Sequence, residues 1–236
     1  MRKMNITLSS VLAVVLVGVL LRGVSTPVAA AEPVEQQTLV DKARITFQVF
    51  MRDKNMTWLQ ENLPQAKGLL IIPSLLKGGF VLGGSGGSAV LIARDEKTRE
   101  WSQPAFYTIG SVTFGLQIGG EAAEVIMMLR TRKALDTLYA SSFKLGGDVS
   151  IAAGPVGGGA KSDIVADIVS FARSKGAYAG VSLEGAVIKT RDKWNEAYYG
   201  KAVRPVDILV KRSVRNPGSA ELRKTVAGAE KKKKSN

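Results

Sequence analysis

Residues 66–94 read AKGLLIIPSLLKGGFVLGGSGGSAVLIAR, and this stretch decides the fold class. Gly68 to Ile72 is a short apolar run closed by Pro73, which predicts a buried strand rather than a helix. The residues beyond Pro73 are dense in glycine and β-branched side chains. The pattern of an aromatic, small residues around glycine, then an apolar run ending in arginine occurs three times. It spans Phe80 to Arg94, Phe114 to Arg130 and Tyr178 to Arg191, and Val149 to Gly159 is a fourth glycine-rich, extended piece. Glycine inside strands marks bulges, bends or close backbone approach. The expectation is a strongly bent antiparallel sheet, either a sandwich or a partly closed barrel.

Helices are predicted around that sheet, which makes the domain α+β. Residues 36–62 place Leu39, Ala43, Phe47 and Phe50 at helical spacing, with a break near Asn55 and an end by Pro64. Short helices are expected at 132–142, 163–175 and 192–199, the last starting on Asp192 and stopping at Gly200. From Val214 onward apolar density falls, and residues 213–236, ending in Lys231 to Lys234, are expected to be a disordered basic tail.

Residues 1–31 form a cleavable leader by composition. Arg2 and Lys3 precede an apolar run from Val11 to Leu21, and Ala29-Ala30-Ala31 offers a small-residue cleavage site. The run is shorter than the roughly 20 residues a bilayer core requires. The expected destination is the periplasm or the exterior, where cytoplasmic nucleic acid is not met. The single domain then occupies residues 32–212.

Composition removes much chemistry. The 236 residues contain no cysteine and no histidine, so disulfides, thiolate nucleophiles, Ser-His-Asp triads and Cys/His zinc sites are all excluded. Gly154-Pro-Val-Gly-Gly-Gly159-Ala160-Lys161-Ser162 misses the phosphate-loop pattern because Ala160 intervenes before the lysine. Gly84 to Ala89 fits a loose dinucleotide fingerprint, but Val90-Leu91-Ile92 continues as strand. Glu121 with Glu124, and Asp163 with Asp167, are carboxylate pairs that share a face only if helical. No catalytic constellation emerges, and no cofactor or metal is expected. The 33 basic against 20 acidic residues, a net +13, direct attention to anionic partners. Three basic residues lie in the leader and four in the terminal lysine run, leaving a moderately basic domain with a basic tail.

Several ordered motifs then carry a resemblance. Ala66 to Pro73, Gly78-Gly79-Phe80 through Gly83, Gly84, Gly86 and Gly87, Trp101-Ser-Gln-Pro104, and Phe114 through Gly119, Gly120 and Glu121 closely resemble the SYLF-domain family of lipid-binding proteins. The likeness resumes at Gly154-Pro155, Gly185, Trp194-Asn195 and Tyr198-Tyr199-Gly200, and covers roughly residues 40–210. The resemblance implies binding rather than catalysis, with anionic lipids as ligands and a basic amphipathic N-terminal portion as the contact. Here that portion is residues 36–54, with Lys42, Arg44, Arg52 and Lys54 as candidates beside Lys231, Lys232, Lys233 and Lys234. The expected partners are anionic membrane phospholipids. The alternatives are an envelope structural or protein-interaction module and, behind it, a carboxylate-based hydrolase.

Overall fold

The computed structural model describes residues 34–79, 82–114, 119–157, 163–180 and 183–232. The first helix, α1 (Val34–Arg52), buries Leu39, Val40, Ala43, Phe47 and Phe50 along one stripe. Their spacing is that of an amphipathic helix lying on a core. The helix stops at Asp53, whose carboxylate accepts the Asn55 N–H at 2.8 Å and opens a single 3-10 turn over Lys54–Met56. A second helix, α2 (Thr57–Asn62), and another 3-10 turn containing Pro64 complete the segment. The break therefore falls where the sequence places it.

The strands β1 (Gly68–Gly79), β2 (Leu82–Ala93), β3 (Ala105–Phe114) and β4 (Gly119–Leu129) come next, followed by α3 (Arg132–Thr137). Then come β5 (Ser142–Lys144), β6 (Ile151–Ala153), β7 (Ile168–Ser174), β8 (Ala177–Gly180) and β9 (Val187–Thr190). The chain finishes with α4 (Asp192–Tyr199), α5 (Pro205–Leu209) and α6 (Ala220–Lys232). Among the described residues, the strands join one sheet in the order β5-β9-β3-β2-β1-β4-β7-β6, with β8 added beside β7. The pairings are antiparallel except β6 with β7. The sheet curls strongly into a half-barrel, so the α+β expectation holds in its partly closed form.

β1 lies between β2 and β4, a position where a proline would break both ladders. Pro73 is accommodated because the register shifts between Ile71 and Ser74 on one side and between Ile72 and Leu75 on the other. Gly87 faces this bulge: a Cβ there would lie 2.5 Å from the Ser74 carbonyl oxygen. That close approach explains one glycine of the motif.

Each face of the sheet builds a core. On one, Leu70, Ile72, Leu91, Tyr107, Val125 and Met127 pack with Leu135, Leu138, Phe143 and Ile208. The buried Tyr107 hydroxyl donates to the Leu138 carbonyl at 2.6 Å, satisfying the one polar atom its burial would strand. On the other, Ile71, Val90, Phe106, Ile126 and Met128 receive Phe47 and Phe50 from α1, Leu59 from α2, and Leu222 and Val226 from α6.

Two expectations are corrected. Residues 163–175 are not helical: 168–174 form β7, where Ile168 through Ala172 are all buried. A strand covered on both faces reads as a continuous apolar run, and its Ile164, Ile168, Phe171 spacing imitates a helix. The tail is also not disordered over its described length. Asn216 accepts the Gly218 N–H at 2.8 Å, a 3-10 turn follows, and α6 buries Leu222 and Val226 one helical turn apart. The leader, residues 158–162, and Lys233 and Lys234 lie outside the described residues.

Candidate anion-binding site at the strand ends

Because β2, β1 and β4 run antiparallel side by side, the end of β2, the start of β1 and the end of β4 meet at one rim of the sheet. The Lys67 N–H donates to Leu129 O and the Arg94 N–H to Lys67 O, both at 2.8 Å. Arg94, Lys67 and Arg130 thus stand in a row across the rim. Arg99, from the β2–β3 connection, joins them around a depression of about 720 Å³ that Thr131, Ser150 and Asp167 also line.

The charges do not cancel evenly. Lys67 pairs with Glu96 at 3.0 Å, and the lysine beside it holds the Glu96 carboxyl below its ordinary range. Arg94 is buried against Glu230 of α6 at 3.1 Å, and burial lowers its pKa. Arg99 reaches the same carboxylate only at 3.9 Å and donates to the Pro64 carbonyl at 2.9 Å. Arg130 has no acidic partner among the described residues. Its guanidinium lies 5.7 Å from the Trp58 ring and donates to the carbonyl of Ile164. Two guanidiniums therefore face the depression with little compensation, and a guanidinium fork matches phosphate oxygens well.

The hydroxyls of the rim are already committed. Thr131 donates to Asp167 at 2.7 Å, and Ser150 donates to its other carboxylate oxygen at 2.8 Å. These bonds, the Thr131 one foremost, hold the Asp167 carboxyl below the usual range. The arrangement suits holding an anion. No cluster of three metal-binding side chains occurs among the described residues.

Comparison with known proteins bears on what such a chain is for. A family model described as Ysc84, Las17-binding protein actin regulator, matches residues 110–229, just over half of the chain. The chain belongs to this family. Its match to an SH3 domain-containing protein of Schizosaccharomyces pombe is 40% identical over 145 residues, 58% of this chain and 33% of that protein. The human SH3 domain-containing YSC84-like protein 1 is 32% identical over 164 residues, 67% of this chain and 47% of the relative. LAS seventeen-binding protein 3 of Saccharomyces cerevisiae is 37% identical over 145 residues, 58% of this chain and 31% of the relative. The chain spans about a third to a half of the length of these curated relatives. The family description names a binding protein and actin regulator, one relative is named for binding, and none of these names states an enzymatic activity. No solved structure matches the chain.

The motifs of this Ysc84-family chain turn out to be largely architectural. Trp101 to Pro104 form a socket for the C-terminal residues. The Trp101 indole N–H donates to Glu230 at 2.8 Å, and the Trp101 carbonyl accepts from Arg223 at 3.0 Å. The buried Gln103 side chain accepts from the Asn216 N–H at 3.1 Å and the Ser219 hydroxyl at 2.7 Å. The Pro104 carbonyl accepts the Tyr199 hydroxyl, whose pKa burial raises far above normal. Asn195 docks α4 by accepting the Phe106 N–H at 2.9 Å, while Arg191 stacks 3.3 Å from the Trp194 ring. Gly154 exists to admit the Phe171 ring: a Cβ there would sit 2.1 Å from it. Pro155 follows it, Gly185 forms a turn at φ 82°, and Phe80 lies outside the described residues. Gly79, Gly83, Gly84, Gly86, Phe114, Gly119 and Gly120 are ladder positions in the four long strands.

The carboxylate pairs dissolve. Glu121 and Glu124, three apart on a strand, point to opposite faces. Glu121 accepts from Ser174, which lowers its pKa, and Glu124 meets Thr46 at 3.0 Å and Arg173. Asp163 is exposed on irregular chain.

The basic candidates of the N-terminal segment are not gathered into one patch. At about 100° per residue, Lys42 and Arg44 lie about 160° apart around α1, flanking the buried stripe on opposite sides. Arg52 is on the outer face and Lys54 lies past the helix end; Lys42, Arg52 and Lys54 are exposed. Lys231 and Lys232 follow Glu230 directly as the last residues of α6, so their backbone lies beside the basic rim. Sequence reasoning missed Lys67, Arg94, Arg99 and Arg130 as a group. The signal was present in the recurring apolar run that ends in arginine, which supplies two of the four.

Proposed function

We propose that the protein binds anionic phospholipid head groups at the strand-end rim, by charge and without chemistry, as a peripheral membrane contact. The row Arg94, Lys67 and Arg130, with Arg99 beside it, carries this reading. The lysine run after Glu230 adds to it, since each basic residue near an anionic bilayer contributes about 1 kcal/mol. No helix among the described residues is long and apolar enough to cross a membrane. Export through the leader at residues 1–31 remains part of the proposal, and intact-mass measurement of the secreted protein tests it.

Vesicle co-sedimentation tests the site. The combined Lys67→Gln, Arg99→Gln and Arg130→Gln variant should bind phosphatidylglycerol vesicles on the order of a hundredfold more weakly at low salt, at ~1 kcal/mol per residue. Binding to phosphatidylcholine should be weak throughout. If instead Lys42, Arg44, Arg52 and Lys54 changed together to glutamine abolish binding and the rim variant does not, the contact lies on α1.

A protein partner is the second reading, favoured by the relatives' names and by one surface. Leu76 and Val112 are 61% and 75% exposed on the sheet face that α1 covers further along, separated only by glycines of β2. A smooth apolar strip of this kind suits a docked chain. Crosslinking that captures one dominant protein, without vesicle binding, would favour it.

A further inference from the structure

The last turn of α6 places a carboxylate against the rim. Glu230 accepts the Trp101 indole N–H at 2.8 Å, meets Arg94 at 3.1 Å and reaches Arg99 at 3.9 Å. Arg94 and Arg99 both line the depression, so two of its cations share one internal anion. Neither guanidinium depends on that carboxylate alone for its place. Arg94 also donates to the Pro64 carbonyl and stands 5.7 Å from the Trp101 ring, and Arg99 donates to the same carbonyl at 2.9 Å. The pair can therefore keep its geometry with another oxyanion where Glu230 now sits.

α6 is held in two parts. Leu222 and Val226 are buried and Arg223 donates to the Trp101 carbonyl at 3.0 Å, which docks the body of the helix. Gly228 comes next, exposed and with nothing within 4 Å of where a Cβ would lie, so packing does not call for glycine there. Glycine in an exposed helix interior weakens the helix about fivefold relative to alanine. Beyond it, Ala229 packs partly buried on the core and Glu230 makes the polar contacts to the rim. A weak point in the helix thus separates the docked body from the carboxylate.

We infer that Glu230 and the last turn of α6 form a latch, an internal anion that closes the Arg94–Arg99 end of the rim and is displaced by an incoming phosphate oxyanion, with Gly228 as the hinge. The inference rests on the rim as the anion site and adds its regulation. Displacement exchanges one charge-assisted contact for another, so neither guanidinium is left unpaired. The apparent affinity of the rim is scaled by the fraction of chains whose latch is open. The lysines that follow Glu230 in sequence move with the turn.

Gly228→Ala tests the latch without altering charge. It should slow amide exchange at residues 229–232 about fivefold and weaken binding to phosphatidylglycerol vesicles by up to about the same factor. Glu230→Gln should tighten vesicle binding about tenfold and speed that exchange. In the Glu230→Gln background, Gly228→Ala should change binding by less than about twofold. On the parent, vesicles should speed exchange at 229–232 and leave residues 222–226 protected. Inorganic phosphate, added in place of vesicles, separates a free anion from a head group: release by either supports displacement, and the one that acts names the source. Equal vesicle binding by the parent and Gly228→Ala, or unchanged exchange at 229–232 with both additions, would overturn the latch and leave the rim standing. Vesicles bound by neither the parent nor Glu230→Gln would remove the rim as a lipid contact, and exchange with phosphate alone would then decide the latch.

Discussion

Arg94 and Glu230, 136 positions apart in the chain, meet at 3.1 Å beside the Trp101 indole, and this pair fastens the last helix to the end of the central strands. Both side chains are largely removed from solvent. Taking away one partner leaves the other charge buried and uncompensated, a more serious loss than the attraction itself. Glu230→Ala should destabilise the fold by about 3 kcal/mol, read as a lower urea midpoint. Replacement of both residues by apolar ones should cost less than the single change, and an equal cost would show that the pair contributes attraction rather than mere compensation.

Leu222 and Val226 make a second prediction about the same helix. Leu222→Ala should cost about 2–4 kcal/mol, as expected for a buried leucine in a packed core. A truly disordered tail would show no change, so thermal unfolding separates the two descriptions cleanly.

Gly154 and Phe171 are coupled sterically. Gly154→Ala should destabilise by about 3 kcal/mol through overpacking, since its Cβ would overlap the ring. Adding Phe171→Leu should recover part of that loss. The double-mutant cycle would therefore show a non-additive interaction, and strict additivity would rule out the contact as the cause.

Asp167 sets an acid limit. Its folded pKa is lowered, chiefly by the Thr131 hydroxyl and then by Ser150. The stability it contributes is therefore fully present above the unfolded value of about 3.9 and is lost as pH falls through the lower folded value. Asp167→Asn should flatten the acid limb of stability against pH while leaving the slope near neutrality unchanged. Urea midpoints measured across the acid range would show this.

Much of the architecture was legible because local residues determine it. The glycine-rich, β-branched segments around Leu69 to Ile72 and Val90 to Ile92 form strands. The Leu39, Ala43, Phe47 and Phe50 stripe forms a helix, and the break near Asn55 lies where it was expected, at a turn capped by Asp53. The misreadings have tertiary causes. Ile168 to Ala172 is covered on both faces, so the alternation that identifies a strand is erased. Residues 213–232 look too polar to fold alone, and they fold because Trp101 and Gln103, more than 100 positions upstream, hold their partners. The basic rim was equally hidden. Lys67, Arg94 and Arg130 become neighbours only through the pairing order of three strands, which no spacing along the chain expresses.

That pairing order also bears on what the smallest independent unit can be. β3 and β4 follow one another in the chain, yet β2 and β1 stand between them in the sheet. The stretch shared with the family model begins at residue 110, after both of those strands have been made. A fragment cut to that stretch would keep β4 through β9 but cut β3 in half and strip its remainder and β4 of the inner neighbours that satisfy their backbones. Two ragged half-sheets would remain, each with a long unpaired edge of the sort that pairs with other chains and aggregates. Expression boundaries therefore belong upstream of α1, and a shorter piece should precipitate rather than bind.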